Sequence, residues 1–318
     1  MRGPSHSEIL LGERLESLYR RYGPETAGTD PILFPRRYAA DEDREVAGWI
    51  ASAFAYGQVR TIQDNVERLL SSLGPRPARA LEHIGDFRAF AREELFGFRH
   101  RFHGAADAAA LLYAIARARA EAGSVRAFFE RELRPEEPDV AGLVSRAVAR
   151  IEAFDYRPVL GTRRIPERSP VRFFFPNPAA GSACKRWNLY LRWMVRRDAL
   201  DLGLWPGIPT DRLVIPTDTH VHRIARRLGL TRRKTADWKA ARQITTSLAR
   251  FDPRDPVRFD YALCRIGILD ICRPRQSRSL CDDCPVQDPC SVGRRHLSTR
   301  FPLPAHLRLT THDSQPVP

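Results

Sequence analysis

Apolar residues recur along this chain close to every 3.6 positions, which is the period of an α-helix, and alternating strand-like segments are scarce. Clusters of proline and glycine separate the apolar stretches, as is typical of loops between helices. The predicted helices cover residues 8–22, 42–55, 60–73, 106–120, 124–133, 138–153, 183–196, 219–228, 235–249 and 256–270. Phe173, Phe174 and Phe175 form the one strong β-like segment, which Pro176 ends. The pattern predicts an all-α protein.

The length and charge of the chain limit the kind of protein it can be. With 318 residues it is long enough for one large domain or two packed ones. No apolar run approaches the ~20 residues of a membrane-spanning helix, and residues 1–17 lack the apolar core of a signal peptide. We therefore expect no membrane partner and place the protein in the cytoplasm. The formal net charge of +14 favours nucleic acid as a partner, although a generally basic proteome gives the same charge.

Lysine is rare in this basic chain. Only three of the 52 basic residues are lysines, namely Lys185, Lys234 and Lys239. Because arginine serves wherever only a positive charge is needed, a retained lysine indicates a position that uses the amine itself. An amine can lose its proton and attack carbon, whereas a guanidinium cannot. Lys234 and Lys239 fall in a polar stretch, so Lys185 is the candidate nucleophile, with a surface or phosphate-contacting lysine as the alternative.

Four cysteines lie close together near the C-terminus: Cys272, Cys281, Cys284 and Cys290. Four thiolates suit either a tetrahedral zinc ion or a [4Fe–4S] cluster, and the spacing alone leaves both open. Cys264 lies on the apolar face of the preceding predicted helix and is assigned to the core. Cys184 adjoins Lys185, and its role is left open.

Asp218 lies directly before a predicted helix, in the segment Pro216-Thr217-Asp218-Thr219-His220-Val221-His222-Arg223. An aspartate in this place is most simply the N-cap of the helix. The segment Pro-x-Asp-Thr-His-Val-x-Arg is also similar to the signature that carries the catalytic aspartate in the helix-hairpin-helix (HhH-GPD) superfamily of DNA glycosylases.

Other parts of the chain resemble the same superfamily. The cysteine run resembles the C-terminal iron–sulfur loop of the endonuclease III and adenine glycosylase branch, with a first gap of eight residues instead of six. Residues 178–189 resemble the hairpin and the helix that carries a lysine, although the second glycine of the hairpin is missing. The separation of Lys185 and Asp218 is closer to that of archaeal 8-oxoguanine DNA glycosylase. The whole pattern also resembles an uncharacterised bacterial branch known as a domain of unknown function.

This resemblance implies a base-excision repair enzyme that acts on double-stranded DNA containing a damaged base, with an oxidised purine favoured. Lys185 would attack C1′ from one helical turn inside its helix, and Asp218 would stabilise the positive charge of the sugar. Burial and Arg186 are expected to lower the pKa of Lys185. Trp187 is a candidate wall of the base pocket, with a core position as the simpler interpretation. A monofunctional glycosylase that uses water, and a non-catalytic iron–sulfur DNA-binding protein, are the alternatives.

The resemblance also implies the remaining binding residues and the domain organisation. The predicted DNA contacts are Gln58, Arg60, Gly181, Ser182, Arg186 and Arg223. The four clustered cysteines would hold a [4Fe–4S] cluster, or alternatively zinc. Residues 41–195 would form a central helical domain with the hairpin, and residues 1–40 with 196–292 a second domain with the cluster. Residues 293–318 are predicted to be a disordered tail, and the protein is expected to be a nucleoid-associated monomer.

Overall fold

A computed structural model describes residues 5–268, 271–273 and 281–300, with side chains up to residue 297. The described chain is all-α apart from one strand pair. Its helices are α1 (His6–Arg21), α2 (Asp41–Ala53), α3 (Val59–Leu73), α4 (Pro77–His83), α5 (Phe87–Glu93), α6 (Ala105–Ala122), α7 (Val125–Glu130), α8 (Ala141–Ala153), α9 (Arg157–Leu160), α10 (Lys185–Val195), α11 (Thr219–Arg227), α12 (Trp238–Leu248), α13 (Asp260–Ile268) and α14 (Ser291–Arg300).

Short elements complete the described chain. Strands β1 (Arg99–His100) and β2 (His103–Gly104) form an antiparallel hairpin in which His100 pairs with His103. The 3-10 turns are Pro24–Thr26, Pro31–Leu33, Pro35–Arg37, Pro170–Phe174, Pro178–Ala180, Thr210–Arg212 and Pro256–Phe259. None of the helices in the described ranges is both long enough and apolar enough to cross a membrane.

The predicted all-α class is confirmed, and each predicted helix has a counterpart in the structure. The β-like interpretation of Phe173 to Phe175 was wrong. Pro170 begins a 3-10 turn there, and the Ser169 side chain accepts a hydrogen bond from the N–H of Val171 at 3.3 Å. The helices α4, α5 and α9 were not predicted, and each has at most seven residues, which is no more than two turns.

The C-terminal boundary also differs from the prediction. Helix α14 runs through Arg300, so the first residues of the predicted tail 293–318 are helical. Residues 301–318 lie outside the described ranges. The division into two domains stays a prediction.

The packing of α10 on α2 positions the start of α10, where Lys185 lies. Gly48 permits the close approach, because a Cβ atom at this position would lie only 3.2 Å from the Tyr190 ring. The Tyr190 hydroxyl donates a hydrogen bond to the carbonyl of Glu45 at 2.9 Å. The Trp205 Nε1–H donates to the carboxylate of Glu45 at 3.0 Å. The Tyr190 bond fixes the axial position of α10 on α2, and the Trp205 bond attaches the segment after α10 to the same helix.

A buried network of charges ties α10 to α13. Arg192 of α10 donates from Nη1 to Asp260 at 2.5 Å and contacts Asp201 at 3.2 Å. Arg196, the residue directly after α10, contacts Asp201 and Asp255. Because both arginines are nearly inaccessible to solvent, removing one partner would leave an uncompensated buried charge, at a cost of ~3–5 kcal/mol.

Helix α13 also packs closely against α11, the helix that Asp218 precedes. A Cβ atom at Gly267 would lie 2.7 Å from the Cβ atom of His220, so only glycine fits at this crossing without movement. Helix α13 therefore contacts both α10 and α11, and it brings the beginnings of these two helices to one region of the molecule.

Candidate active site

Lys185 and Asp218 meet in one cavity. The amine Nζ of Lys185 lies 3.2 Å from Oδ2 of Asp218, and both residues line a cavity of about 1190 Å³. Pockets for small ligands usually measure ~300–1,000 Å³, so this cavity is large enough for a whole nucleotide. The predicted juxtaposition of these two side chains is therefore present in the fold.

The carboxylate of Asp218 has two separate tasks. Its Oδ1 accepts hydrogen bonds from the backbone N–H groups of His220 and Val221, both at 2.9 Å, and so caps α11. Its Oδ2 is left to face Lys185. Burial alone would raise the pKa of Asp218, but the Lys185 amine and the Val221 N–H outweigh burial and hold this pKa below its ordinary value. Asp218 is therefore held in its ionised form.

Two expectations for Lys185 were wrong. It is the first residue of α10, not a residue one turn inside it. Its pKa lies above the ordinary value: burial would lower it, but the carboxylate of Asp218 and the nearby Cys264 and Asp260 outweigh burial. The lysine side chain is 33% exposed and, in this state, is a paired ammonium.

Arg186 is directed into the protein, which differs from the predicted DNA contact. Its Nη1 donates to the carbonyl of Ala53 at 3.1 Å, and its Nη2 donates to the carbonyl of Phe173. The guanidinium lies over the Phe173 ring, 4.0 Å from its centroid. Burial lowers the pKa of Arg186 to about 10. This residue therefore holds a wall of the cavity together.

The turn before α10 contains two residues with a left-handed backbone. Gly181, a predicted DNA contact, has φ = 81° and Cys184 has φ = 47°. In the described part of the chain, Cys184 and Arg101 are the two non-glycine residues with positive φ, and both line the cavity. Such conformations cost ~1–3 kcal/mol and concentrate at functional sites. Ser182 also lines the cavity, and its Oγ accepts from the N–H of Cys184 at 3.2 Å.

Gln58 and Arg60 lie at the start of α3 and are exposed to solvent. Their neighbours Gly57 and Val59 line the cavity, so the pair lies beside its opening. The Arg60 side chain is 94% exposed, and its ion pair with Asp64, at 3.9 Å, is long. The structure therefore leaves this guanidinium accessible to an external anion.

Arg223 connects α11 to the cysteine run. Its Nη2 donates to the backbone carbonyl of Cys272 at 2.7 Å and to Nδ1 of His220 at 3.2 Å. Arg227, one turn further along, donates from Nη1 to the sulfur of Cys272 at 2.9 Å. These bonds hold the first cysteine against α11, and the DNA contact predicted for Arg223 stays a prediction.

The four cysteines of the run lie near one another and form no disulfide. Burial raises the pKa of Cys284 to about 11, with smaller contributions from the thiols of Cys272, Cys290 and Cys281, which places all four within electrostatic range. Their donor chemistry fits a thiolate-bound metal centre. Within residues 5–268, 271–273 and 281–297, no set of three or more Cys, His, Asp or Glu side chains has the arrangement of a metal site. The predicted metal centre therefore stays a prediction.

Among the cavity residues that the sequence analysis did not identify as site residues are Asp30, Asp260 and Cys264. Cys264 was assigned to the core, but it lines the cavity one helical turn from Asp260 on the same face of α13. Oδ1 of Asp260 is buried without a hydrogen-bond partner among the described residues, and burial raises the pKa of Asp260 to about 6. Trp187 is 2% exposed, and its core position is confirmed.

The double role of Asp218 predicts different effects for two substitutions. Asp218→Asn keeps an oxygen that can accept from the N–H groups of α11, whereas Asp218→Ala does not. The alanine variant should therefore have a free energy of unfolding lower than that of the asparagine variant by ~0.5–2 kcal/mol in urea denaturation. Asp86 caps α5 in the same way outside the cavity, so its Asn and Ala variants are the matched control. Equal stability of the two Asp218 variants would contradict the capping role.

Comparison with known proteins places the chain in a family. No curated protein and no solved structure matches it. A family model described as "Protein of unknown function (DUF2400)" matches residues 30–269, which include Lys185, Asp218 and the residues between them. This match covers well over half of the sequence, and the chain therefore belongs to the DUF2400 family.

Proposed function

We propose that this protein is a base-excision DNA glycosylase of helix-hairpin-helix type with abasic-site lyase activity. The observation that carries the proposal is the 3.2 Å contact between the Lys185 amine and the Asp218 carboxylate inside a cavity large enough for one nucleotide. A primary amine beside an ionised carboxylate is the pair that this chemistry needs. The left-handed backbone of Cys184, directly before the lysine, supports the proposal because such strain concentrates at functional sites.

In the proposed reaction the damaged nucleotide leaves the base stack and enters the cavity. Asp218 stabilises the positive charge that develops at the sugar as the bond from C1′ to the base breaks. The Lys185 ammonium first loses one proton to solvent. As its nitrogen then forms a bond to C1′, the amine gives up a second proton, which is available to the departing base. Opening of the sugar ring gives a Schiff base, and β-elimination then cleaves the strand on the 3′ side.

Several features favour DNA as the partner. The net charge of +14 attracts a polyanion, and Arg60 and Arg101 lie exposed near the cavity. Among the described residues, no side chain caps the start of α10. A helix N-terminus of this kind is a favourable place for a phosphate group.

The proposal includes a [4Fe–4S] cluster on the four cysteines of the run, with zinc as the alternative. Such a centre would link the four cysteines to one another. Its metal cations would also offset the repulsion between the four thiolates. Arg227 already places a positive charge on the sulfur of Cys272. In the proposed protein this loop steadies α11, which begins next to Asp218.

The nucleophile is tested by trapping. Incubating the protein with a duplex that contains an abasic site and adding borohydride should give a covalent protein–DNA adduct, because borohydride reduces a Schiff base to a stable amine. Lys185→Gln should reduce the adduct at least ~100-fold, since no other amine replaces the nucleophile. Lys239→Gln removes an exposed lysine of α12 that does not line the cavity, and it should leave the yield unchanged.

Parallel incubations with duplexes that carry 8-oxoguanine, thymine glycol or uracil separate the alternatives. Release of a damaged base without trapping would support a monofunctional enzyme that uses water. Tight binding to the duplex with neither trapping nor base release would support a non-catalytic DNA-binding protein. An adduct that persists in Lys185→Gln would contradict the role given to this residue.

The raised pKa of Lys185 predicts the pH dependence of trapping. Only the neutral amine attacks carbon, and a raised pKa means that the ammonium form dominates through neutral pH. The rate of adduct formation should therefore rise ~10-fold per pH unit between about pH 6 and about pH 9, without a plateau. Single-turnover trapping with cyanoborohydride measures this rate. A plateau near pH 7 would show that bound DNA lowers the pKa of the amine.

The cluster is tested by elemental analysis of the purified protein. A [4Fe–4S] centre predicts about four iron atoms and about four acid-labile sulfides per chain, all lost in Cys284→Ser. About one zinc ion per chain would support the alternative. Cys264→Ser, which changes a cysteine of the cavity outside the run, should leave the metal content unchanged. A protein with neither metal would refute the metal centre.

A further inference from the structure

We infer that Asp30 reads the Watson–Crick edge of the extruded base and selects a guanine-type lesion over pyrimidine lesions. This inference rests on the proposed function, because it names the substrate of the same cavity. It concerns a part of the cavity that the proposed covalent chemistry does not use.

The geometry leaves one oxygen of Asp30 available to a ligand. Asp30 lines the cavity and is partly exposed there. Its Oδ1 accepts from the N–H of Ile32 at 3.0 Å and so caps the turn Pro31–Leu33. Across the part of the chain that the structure describes, its Oδ2 has no hydrogen-bond or ion-pair partner. The cap fixes the carboxylate in place, so this free oxygen has a defined position.

Asp30 lies in the same part of the cavity as the reacting pair. Asp30, Cys264, Lys185 and Asp218 line the same cavity, and Lys185, Asp218, Asp260 and Asp30 all lie within electrostatic range of Cys264. Asp30 itself forms no ion pair with Lys185, whose ammonium contacts Asp218. In the inferred complex, a nucleoside in this cavity has its sugar at Lys185 and Asp218 and its base at Asp30.

An aromatic side chain borders the same space. Tyr261 lines the cavity and is held by a 3.2 Å hydrogen bond between its hydroxyl and that of Thr26. Extruded bases are commonly held by stacking on aromatic side chains and by hydrogen bonds to their Watson–Crick edge. Asp30 supplies the acceptor for such a bond, and Tyr261, which is 7% exposed, forms part of the cavity wall.

The chemistry of a carboxylate determines which base fits. An ionised carboxylate accepts hydrogen bonds and donates none. Guanine presents two adjacent donors, N1–H and the 2-amino group, and oxidation at C8 leaves both in place. Uracil and thymine glycol present one N–H between two carbonyl oxygens, which the carboxylate repels, and adenine presents an acceptor at N1. Asp30 therefore favours guanine and its C8-oxidised form.

Asp30→Asn tests this inference without removing the cap. The amide oxygen can still accept from the N–H of Ile32, and the amide NH₂ then replaces Oδ2 and opposes the guanine donors. Single-turnover excision of 8-oxoguanine should fall about 10- to 100-fold. Trapping at a preformed abasic site should not change, because that substrate has no base. Asp86→Asn, a cap outside the cavity, is the matched control.

A binding measurement tests the inference independently of catalysis. Calorimetry should show that the wild-type protein binds 2′-deoxyguanosine about tenfold more tightly than 2′-deoxyinosine, which lacks the 2-amino group. Asp30→Asn should abolish this preference. If the protein prefers 2′-deoxyguanosine to 2′-deoxyinosine but never traps an abasic site, the proposed lyase function is refuted, while the recognition of guanine by Asp30 is retained.

Other outcomes would overturn the inference. Equal loss of excision and of abasic-site trapping in Asp30→Asn would assign Asp30 to the fold alone. Unchanged excision of 8-oxoguanine in this variant would also refute it. A wild-type protein that traps abasic sites and removes uracil or thymine glycol, but not 8-oxoguanine, would refute the selectivity while leaving the proposed function intact.

Discussion

The site depends on how one carboxylate is shared. Asp218 uses one oxygen to cap α11 and the other to contact the Lys185 amine, so helix geometry and site chemistry rest on the same side chain. The cap prevents rotation of the carboxylate, which gives Oδ2 a fixed direction. The rest of the fold meets this requirement by bringing the start of α10 to the start of α11, through the contacts that both helices make with α13.

The helical class and the central pair were predictable from the sequence, and for different reasons. The long helices bury continuous apolar faces, so their period is visible without a structure. Lys185 was identifiable because arginine replaces lysine almost everywhere else in this chain, and Asp218 because it precedes a helix within a recognisable segment. Both signals are local, and a single sequence shows local signals well.

What could not be predicted depends on the tertiary environment. The direction of the Lys185 pKa follows from the carboxylates that surround the amine, and these come from distant parts of the chain. Asp30 precedes a three-residue turn with no helical period, so nothing in its neighbourhood indicated a cavity position. Cys264 was visible as a residue on an apolar face, but which space that face borders depends on the packing of α13. Charge alone also did not show that Arg186 donates to two buried backbone carbonyls, or that Arg223 donates to the carbonyl of Cys272.

The burial of Arg186 affects how arginine substitutions in a basic protein of this kind should be interpreted. With 49 arginines in the chain, replacing them one at a time and recording lost affinity for a polyanion would be the usual survey. Such a survey would mix two populations. Arg60 extends into solvent, and its removal subtracts one charge, whereas Arg186 spans two backbone carbonyls and two aromatic rings. Loss of Arg186 would deform the cavity beside Lys185. An assay that records only DNA affinity would then attribute a structural change of the cavity to the loss of an electrostatic contact.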